Sequence, residues 1–326
     1  MNEPIITVVL EGYNQSRALG DADDTLAALA MQDYPLDRVE VVMVGSGEQT
    51  AAWDAECAAR YPFRRVTTVP CNGAHYYELK NAGASAAVGD IVAFTDSDVI
   101  PRRSWLRGIA DNIGAGADVS LGPTLFGRAG AYDPDSLLMR MTSAVTWGWV
   151  YGKPRPDGLP AARGFMDHNV AMRAEVARDF RYRTEFGRIV ASPLLFRSLK
   201  NAGKEIRISP DQQAVHAFWW RYWTIGLMFR YGHEVYRLRR LDGDYPDRWL
   251  VKTGILEPVL TLFWHVSLDV PKWFRLNRTL GRPAAMSVLA LPAFLLVSFA
   301  ARFSEMMGMY ATLLSFERTR LWAEKV

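Results

Sequence analysis

The chain has 326 residues, 49% of them apolar and 22% charged, with a formal net charge of +3. That composition belongs to a folding chain and not a disordered one, and the length is enough for one large α/β domain plus an appendage. So even a balance of charge also argues against a nucleic-acid binder, whose basic residues would dominate one face. Cys57 and Cys71 are the only cysteines and no CxxC or Cys/His cluster surrounds them, so two reduced, buried thiols in a cytoplasmic protein are expected. No signal peptide is expected, because the first apolar run, Ile5 to Leu10, is too short for one and lacks a basic flank.

In chain order, Ile5 to Leu10 is a continuous β-branched and apolar run, the pattern of a strand buried on both faces. A turn through Gly12, Tyr13 and Asn14 follows. The next helix carries Leu26, Leu29 and Ala30 on one stripe, is entered through Asp21, Asp23 and Asp24, and stops at Tyr34-Pro35. Val39 to Val44 is a second buried strand, ending in Gly45-Ser46-Gly47. An Ala-rich helix (Thr50 to Arg60), a strand near Val66 to Val69, a helix from Glu78 to Val88 and a strand from Asp90 to Phe94 complete the alternation. Strand and helix in turn, with short links, predict a mostly parallel sheet flanked by helices, with ligands bound beyond the carboxyl ends of its strands. The polar clusters all fall at such ends: Glu11 to Asn14, Gly45 to Glu48, and Asp96 to Asp98.

Asp96-Ser97-Asp98 is the sharpest signal. Two carboxylates one residue apart, just past an apolar strand, cannot both be buried unpaired, because desolvating each costs several kcal/mol. Mg²⁺ or Mn²⁺ resolves the conflict, since such an ion takes carboxylate and phosphate oxygens together. The plainer alternative makes Asp98 an N-cap of a helix over Arg102 to Ile109. Gly45-Ser46-Gly47 falls short of a dinucleotide-binding fingerprint, for Thr50 stands where the third glycine belongs.

Three ordered segments carry a resemblance: ITVVLEGYN, LAALAMQDYPLDRVEVVMVGSG and LKNAGASAAVGDIVAFTDSDVIPRRSWL. With GFMDHNVAMRAEV, KNAGKEIRISPDQQAVH and FRYGHEVYRL downstream, residues 4 to about 240 resemble the family 2 glycosyltransferases. The resemblance implies a GT-A fold that binds a nucleoside-diphosphate sugar. Glu11, Tyr13 and Ser46 would frame the nucleotide, and Lys80 would lie near the ribose or diphosphate. Asp96 and Ser97 would face the ribose or a metal-bound water, while Asp98 binds Mg²⁺ or Mn²⁺. His216 falls where some relatives supply a third metal ligand; a lone histidine is otherwise a structural residue. The chain departs from the family twice. Gly45-Ser46 replaces the paired aspartates that end the second strand, and Ala191-Ser192 replaces the Glu-Asp whose aspartate is the general base. Glu185 is the nearest carboxylate able to substitute, ahead of Asp167 and Asp179, and its alternative role is a salt bridge with Arg181 or Arg188.

The C-terminal third differs in character. Pro283 to Ala301 contains no charge and would span about 28 Å as a helix, close to a bilayer's hydrocarbon thickness, with Pro292 expected to kink it. A second apolar run covers Met306 to Phe316, and a third covers Ile255 to Val266, with Trp249, Trp264 and Trp273 near its edges. Basic residues beside these runs, among them Lys252, Lys272, Arg275, Arg278 and Arg282, point to the cytoplasmic face of a membrane, by a spanning helix, a hairpin or an in-plane helix. An ordinary buried helix is the alternative. Arg230 to Arg240 is expected to form a solvated helix face.

The expectation is therefore a GT-A domain over residues 1–240 and a helical, membrane-associated region over 241–326. The activity implied is sugar transfer with inversion to a sugar, lipid-linked or other hydroxyl acceptor, as in cell-envelope glycan or glycolipid synthesis. A non-catalytic sugar-nucleotide-binding protein and a nucleotidyltransferase are the alternatives.

Overall fold

A computed structural model describes residues 3–13, 22–128 and 136–325; Asn14, Asp21 and the side chain of Cys57 lie outside the described parts. The apolar runs become β1 (Ile6–Glu11), β2 (Val39–Gly45), β3 (Arg65–Pro70) and β4 (Ile91–Asp96). They are parallel in the order β3-β2-β1-β4, with Ile6 aligned to Val39 on one side and Ile91 on the other. Every residue of β1, β2 and β4 is buried, which is why their sequences do not alternate. Helices α1 (Ala22–Ala30), α2 (Gly47–Arg60) and α3 (Tyr76–Ala86) make the connections. Between them the strands bring Glu11, Ser46 and Asp96 to one edge.

After β4 the topology changes. The chain continues through β5 (Val99–Pro101), α4 (Trp105–Gly114), β6 (Val119–Leu121), β7 (Thr124–Arg128), α5 (Leu137–Trp147) and the hairpin of β8 (Tyr151–Pro154) and β9 (Pro160–Ala162). Next, β10 (Val170–Arg173) inserts antiparallel between β4 and β6. Helices α6 (Ala174–Asp179) and α7 (Gly187–Asn201) lead to β11 (Ile206–Ile208), which closes a seven-stranded sheet, β11-β6-β10-β4-β1-β2-β3. A smaller sheet, β5-β12-β7, is centred on β12 (Ala214–Phe218) and sets His216 opposite Val99.

The C-terminal region comprises α8 (Phe229–Leu241), α9 (Glu257–Thr279), α10 (Ala284–Leu289), α11 (Leu291–Leu314) and α12 (Phe316–Lys325). The uncharged run is not one kinked helix. It breaks at Ala290, and Pro292 sits in the first turn of α11, where a missing N–H leaves nothing unsatisfied. Helix α11 then runs through Arg302 and Glu305 and absorbs the Met306 run. By length and composition it is the one helix among the described residues suited to cross a membrane.

Its faces are inverted, however. Ser298, Arg302, Glu305 and Thr312 point inward, while Leu296, Phe299, Phe303, Met307 and Leu314 are exposed. Inside, Asp269 accepts from Arg302 Nε (2.8 Å) and Nη2 (2.7 Å), Lys272 Nζ (2.8 Å) and Ser298 Oγ (2.7 Å). Arg302 also donates to Glu305 (2.7 Å) and to the carbonyl of Val145 (2.9 Å), which fastens α11 to α5. His265 lies between Glu305 and Asp247, at 2.9 and 3.0 Å. The basic stretch of α8 is only partly the solvated face expected: Arg240 is exposed, but Arg230 and Arg239 are buried, and Arg239 pairs with Glu257 at 3.2 Å. Cys71 is a free thiol, half-buried where full burial was expected.

Helices α8 and α11 approach backbone to backbone. A Cβ on Gly232 would stand 2.0 Å from the Glu305 carbonyl oxygen, and one on Gly308 would stand 1.9 Å from that of Phe229. Gly232→Leu is therefore expected to destabilise the protein by at least about 1–3 kcal/mol, the usual cost of overpacking, read as a lower melting temperature and faster proteolysis of α8 and α11.

Candidate active site

At the carboxyl ends of β1 and β2 the backbone turns sharply. Glu11 is fully buried and its Oε2 accepts from the Tyr13 amide at 2.6 Å, so it shapes the turn. Ser46 caps α2: its hydroxyl accepts from the Gln49 amide, and the Gln49 side chain accepts from the Ser46 amide in return. Trp53, from α2, reaches back over both ends. A Cβ on Gly12 would meet its ring at 2.5 Å and one on Gly45 at 3.0 Å. The indole thus occupies the room beside Gly45-Ser46.

Asp96, at the end of β4, is buried and doubly held. Lys80 Nζ donates to Oδ1 at 2.6 Å, and the Tyr76 hydroxyl donates to Oδ2 at 2.8 Å. Lys80 is itself fully buried and lies 4.7 Å from the Tyr76 ring centre. Tyr76 and Lys80 are one turn apart on α3, so the same helix face presents both to Asp96. The sequence reading singled out Lys80 and Asp96 but missed Tyr76, although its i, i+4 spacing from the lysine was visible. Ser97 is buried, with a hydroxyl that has no hydrogen-bond partner among the described residues, and its amide donates to the Glu11 carbonyl at 3.2 Å.

Asp98 and His216 meet through the small sheet. Asp98 is buried and its Oδ2 lies 3.6 Å from His216 Nε2. It caps no helix; β5 begins at the next residue and α4 starts only at Trp105. His216 Nδ1 is 2.9 Å from the Ala217 carbonyl oxygen. A carbonyl can only accept, so that nitrogen carries the hydrogen, and Nε2, which offers a lone pair whenever the ring is neutral, is the nitrogen that faces the carboxylate. Two acceptors facing each other at that separation suit a divalent cation between them. Among the described residues no group of three or more His, Cys, Asp or Glu side chains could hold a metal. A cation here would therefore take the rest of its ligands from phosphate oxygens and water, as Mg²⁺ commonly does.

A cavity of about 920 Å³ opens beside these groups; Tyr76, Asp96 and His216 line it, as do Asp247, His265 and Arg302. Trp147, Trp149, Phe165 and Tyr231 form much of its wall. Asp167 and Ser192 face it near Asp96. The Tyr77 hydroxyl donates to Asp167 Oδ2 at 2.7 Å. Burial pushes the Asp167 carboxyl up to about 6, against the Tyr77 hydrogen bond and the Lys80 charge, which pull it down. Glu185 does not line the cavity. It is exposed and pairs with Arg183 at 2.7 Å; a hydrogen bond from its own backbone, together with that of Arg183, holds its carboxyl below the usual range, and the side chain of Arg188 lies outside the described parts. Asp179 is exposed as well.

A mostly parallel sheet, with aspartates at the end of its fourth strand and a cavity beyond them, is the arrangement of the GT-A fold. The chain belongs to glycosyl transferase family 2, whose model matches residues 8–179. The glycosyltransferase AglE of Haloferax volcanii is 27% identical over 119 residues, 36% of this chain and 38% of that protein, so the match spans well under half of the relative. The mannosyltransferase PcManGT from Pyrobaculum calidifontis, solved in complex with GDP-Man and Mn²⁺, aligns over 97% of this chain and 88% of its own, with a TM-score of 0.59 at 17% identity. TarS 1-349 from S. aureus aligns over 96% of this chain and 91% of its own, with a TM-score of 0.49 at 16% identity.

Lys80→Met removes the cation paired with Asp96 and leaves a buried carboxylate. The expected loss is about 3–5 kcal/mol of stability, measured by denaturant unfolding, with Lys80→Met/Asp96→Asn recovering part of it.

Proposed function

We propose that the chain moves a sugar from a nucleoside-diphosphate sugar to an acceptor hydroxyl, with inversion, on a membrane surface. The observation that carries the donor half is the pairing of Asp98 with His216 beside the Asp96–Lys80 ion pair. Asp98 and His216 would hold Mg²⁺ or Mn²⁺, which supplies positive charge against the departing diphosphate. The solved mannosyltransferase of the same fold binds a nucleotide sugar with Mn²⁺, which supports this reading. Lys80 neutralises Asp96 and holds it in place; the Tyr13 and Tyr76 rings, 6.1 Å apart and edge to face, border the nucleotide side.

The membrane half rests on α11. A helix that turns Arg302 and Glu305 inward and Leu296, Phe299 and Phe303 outward has the arrangement of a helix lying against lipid. Phe263 and Leu256 near the start of α9, and Val288 and Leu289 on α10, extend the exposed apolar surface. Because Arg302 and Glu305 line the cavity from the other side of the same helix, an acceptor carried by a lipid has a short route to the donor. An in-plane attachment on the cytoplasmic face fits better than a span, since those two charges sit mid-helix.

Two measurements test the two halves. A panel of nucleoside diphosphates and their sugars is expected to raise the melting temperature with Mn²⁺ or Mg²⁺ present, and Asp98→Ala and His216→Ala are expected to remove the metal-dependent part. Stabilisation by every nucleotide alike, without metal and unchanged in both variants, would count against the donor site. Phe299→Glu/Phe303→Glu is expected to weaken vesicle binding about 100-fold, each buried apolar side chain contributing roughly 1.5 kcal/mol or more. Flotation of wild type and variant to the same extent would remove the membrane assignment.

A further inference from the structure

We infer that Asp167 is the general base of the transfer reaction, standing in from a different loop for the aspartate that the family places at Ser192. The inference rests on the transfer reaction proposed above. An acceptor hydroxyl attacking an anomeric carbon must lose its proton, and a serine cannot take it at neutral pH. Six carboxylates line the cavity: Asp96, Asp167, Glu234, Asp244, Asp247 and Glu305. Asp96 is held by Lys80 and Tyr76, Glu305 by Arg302 and His265, Asp247 by His265 and Trp264, and Glu234 by Arg237. Asp244 is exposed, on the segment after α8. Asp167 remains.

Its geometry suits the task. Tyr77 takes Oδ2, while Oδ1 is buried with no hydrogen-bond partner among the described residues, so one oxygen anchors the group and the other is available to a substrate proton. The loop between β9 and β10 that carries Asp167 is fixed on both sides. Two residues on, Asn169 accepts from the Trp105 indole at 2.8 Å and donates to Thr124 Oγ1 at 3.1 Å. Two residues back, the Phe165 carbonyl accepts from Ser192 Oγ at 3.3 Å. Ser192, at the family's base position, thus fastens the loop that brings a carboxylate in.

The groups facing Asp167 are Tyr77 and Lys80 from α3, Asp96 from β4, Ser192 from α7 and Tyr182 from the segment after α6. Burial and Asp96 raise its carboxyl to about 6 while Tyr77, Lys80 and Ser192 oppose them, which leaves it ionised at neutral pH and still a competent acceptor of a proton. In the step, the acceptor oxygen bonds to the anomeric carbon and its proton passes to Asp167 Oδ1. The bond from that carbon to the diphosphate breaks, and its electron pair leaves with the nucleoside diphosphate.

The test uses the full chain with Mn²⁺, GDP-mannose and UDP-N-acetylglucosamine as donors and water as the acceptor, and it follows release of nucleoside diphosphate. Asp167→Asn is expected to slow release about 10²–10⁴-fold while thermal stabilisation by the donor stays as in wild type; Glu185→Gln is expected to release at the wild-type rate. The wild-type rate should rise with pH about a midpoint near 6. In Tyr77→Phe, which removes the hydrogen bond favouring the charged form, that midpoint should move upward. A carboxyl raised in the folded state stabilises it most at low pH and loses that contribution as pH rises through about 6. Asp167→Asn should therefore melt higher than wild type at pH 8, which separates lost chemistry from lost folding. Release by Asp167→Asn within threefold of wild type, or a midpoint unmoved in Tyr77→Phe, would overturn the assignment and leave the donor reading intact. A wild type that binds donor without ever releasing nucleotide would overturn the transfer reaction and the base assignment together, while the donor site would stand.

Discussion

A carboxylate taken out of water needs a cation or a full set of donors, and the carboxyl edge of the central sheet is arranged around that requirement. Burial of β4 on both faces carries Asp96 and Asp98 into the interior with it. Lys80 and Tyr76 satisfy the first from α3, and His216 approaches the second from β12. The difference between the two aspartates is the functional point. Asp96 is neutralised within the chain, whereas Asp98 faces Nε2 of His216, where the proposed metal would bind.

The same requirement shapes the C-terminal helices. Asp269, Lys272, Arg302, Glu305 and His265 form one buried set between α9 and α11, and the Val145 carbonyl ties that set to the floor of the cavity. Satisfying those charges inside leaves the apolar side chains of α11 outside. The proposed attachment to lipid and the closure of the cavity thus rest on one helix with two faces.

Much of this was legible in the sequence where a single strand or helix determines the outcome. Unbroken β-branched runs gave the parallel strands, since burial on both faces removes the alternation. The ends of those runs placed Glu11, Ser46 and Asp96 together. What depends on long-range pairing was not readable. The antiparallel β10 moves the loop holding Asp167 to the cavity, and nothing near residue 167 signals that it will sit by Ser192, on another element. Glu185 is the carboxylate nearest Ser192 in the chain, yet the structure sends it to the surface beside Arg183. The apolar run of α11 reads the same whichever face is buried, so its inversion became visible only with Arg302 and Glu305 placed.

The most direct measurement is a crystal structure with Mn²⁺ and a nucleoside diphosphate, located by the anomalous signal of the metal. The account predicts one Mn²⁺ bridging the diphosphate to Asp98 and His216, with ligand distances of about 2.1 Å and the Asp96–Lys80 pair intact beside it. A diphosphate bound elsewhere, or a metal that leaves both Asp98 and His216 uncoordinated, would contradict it.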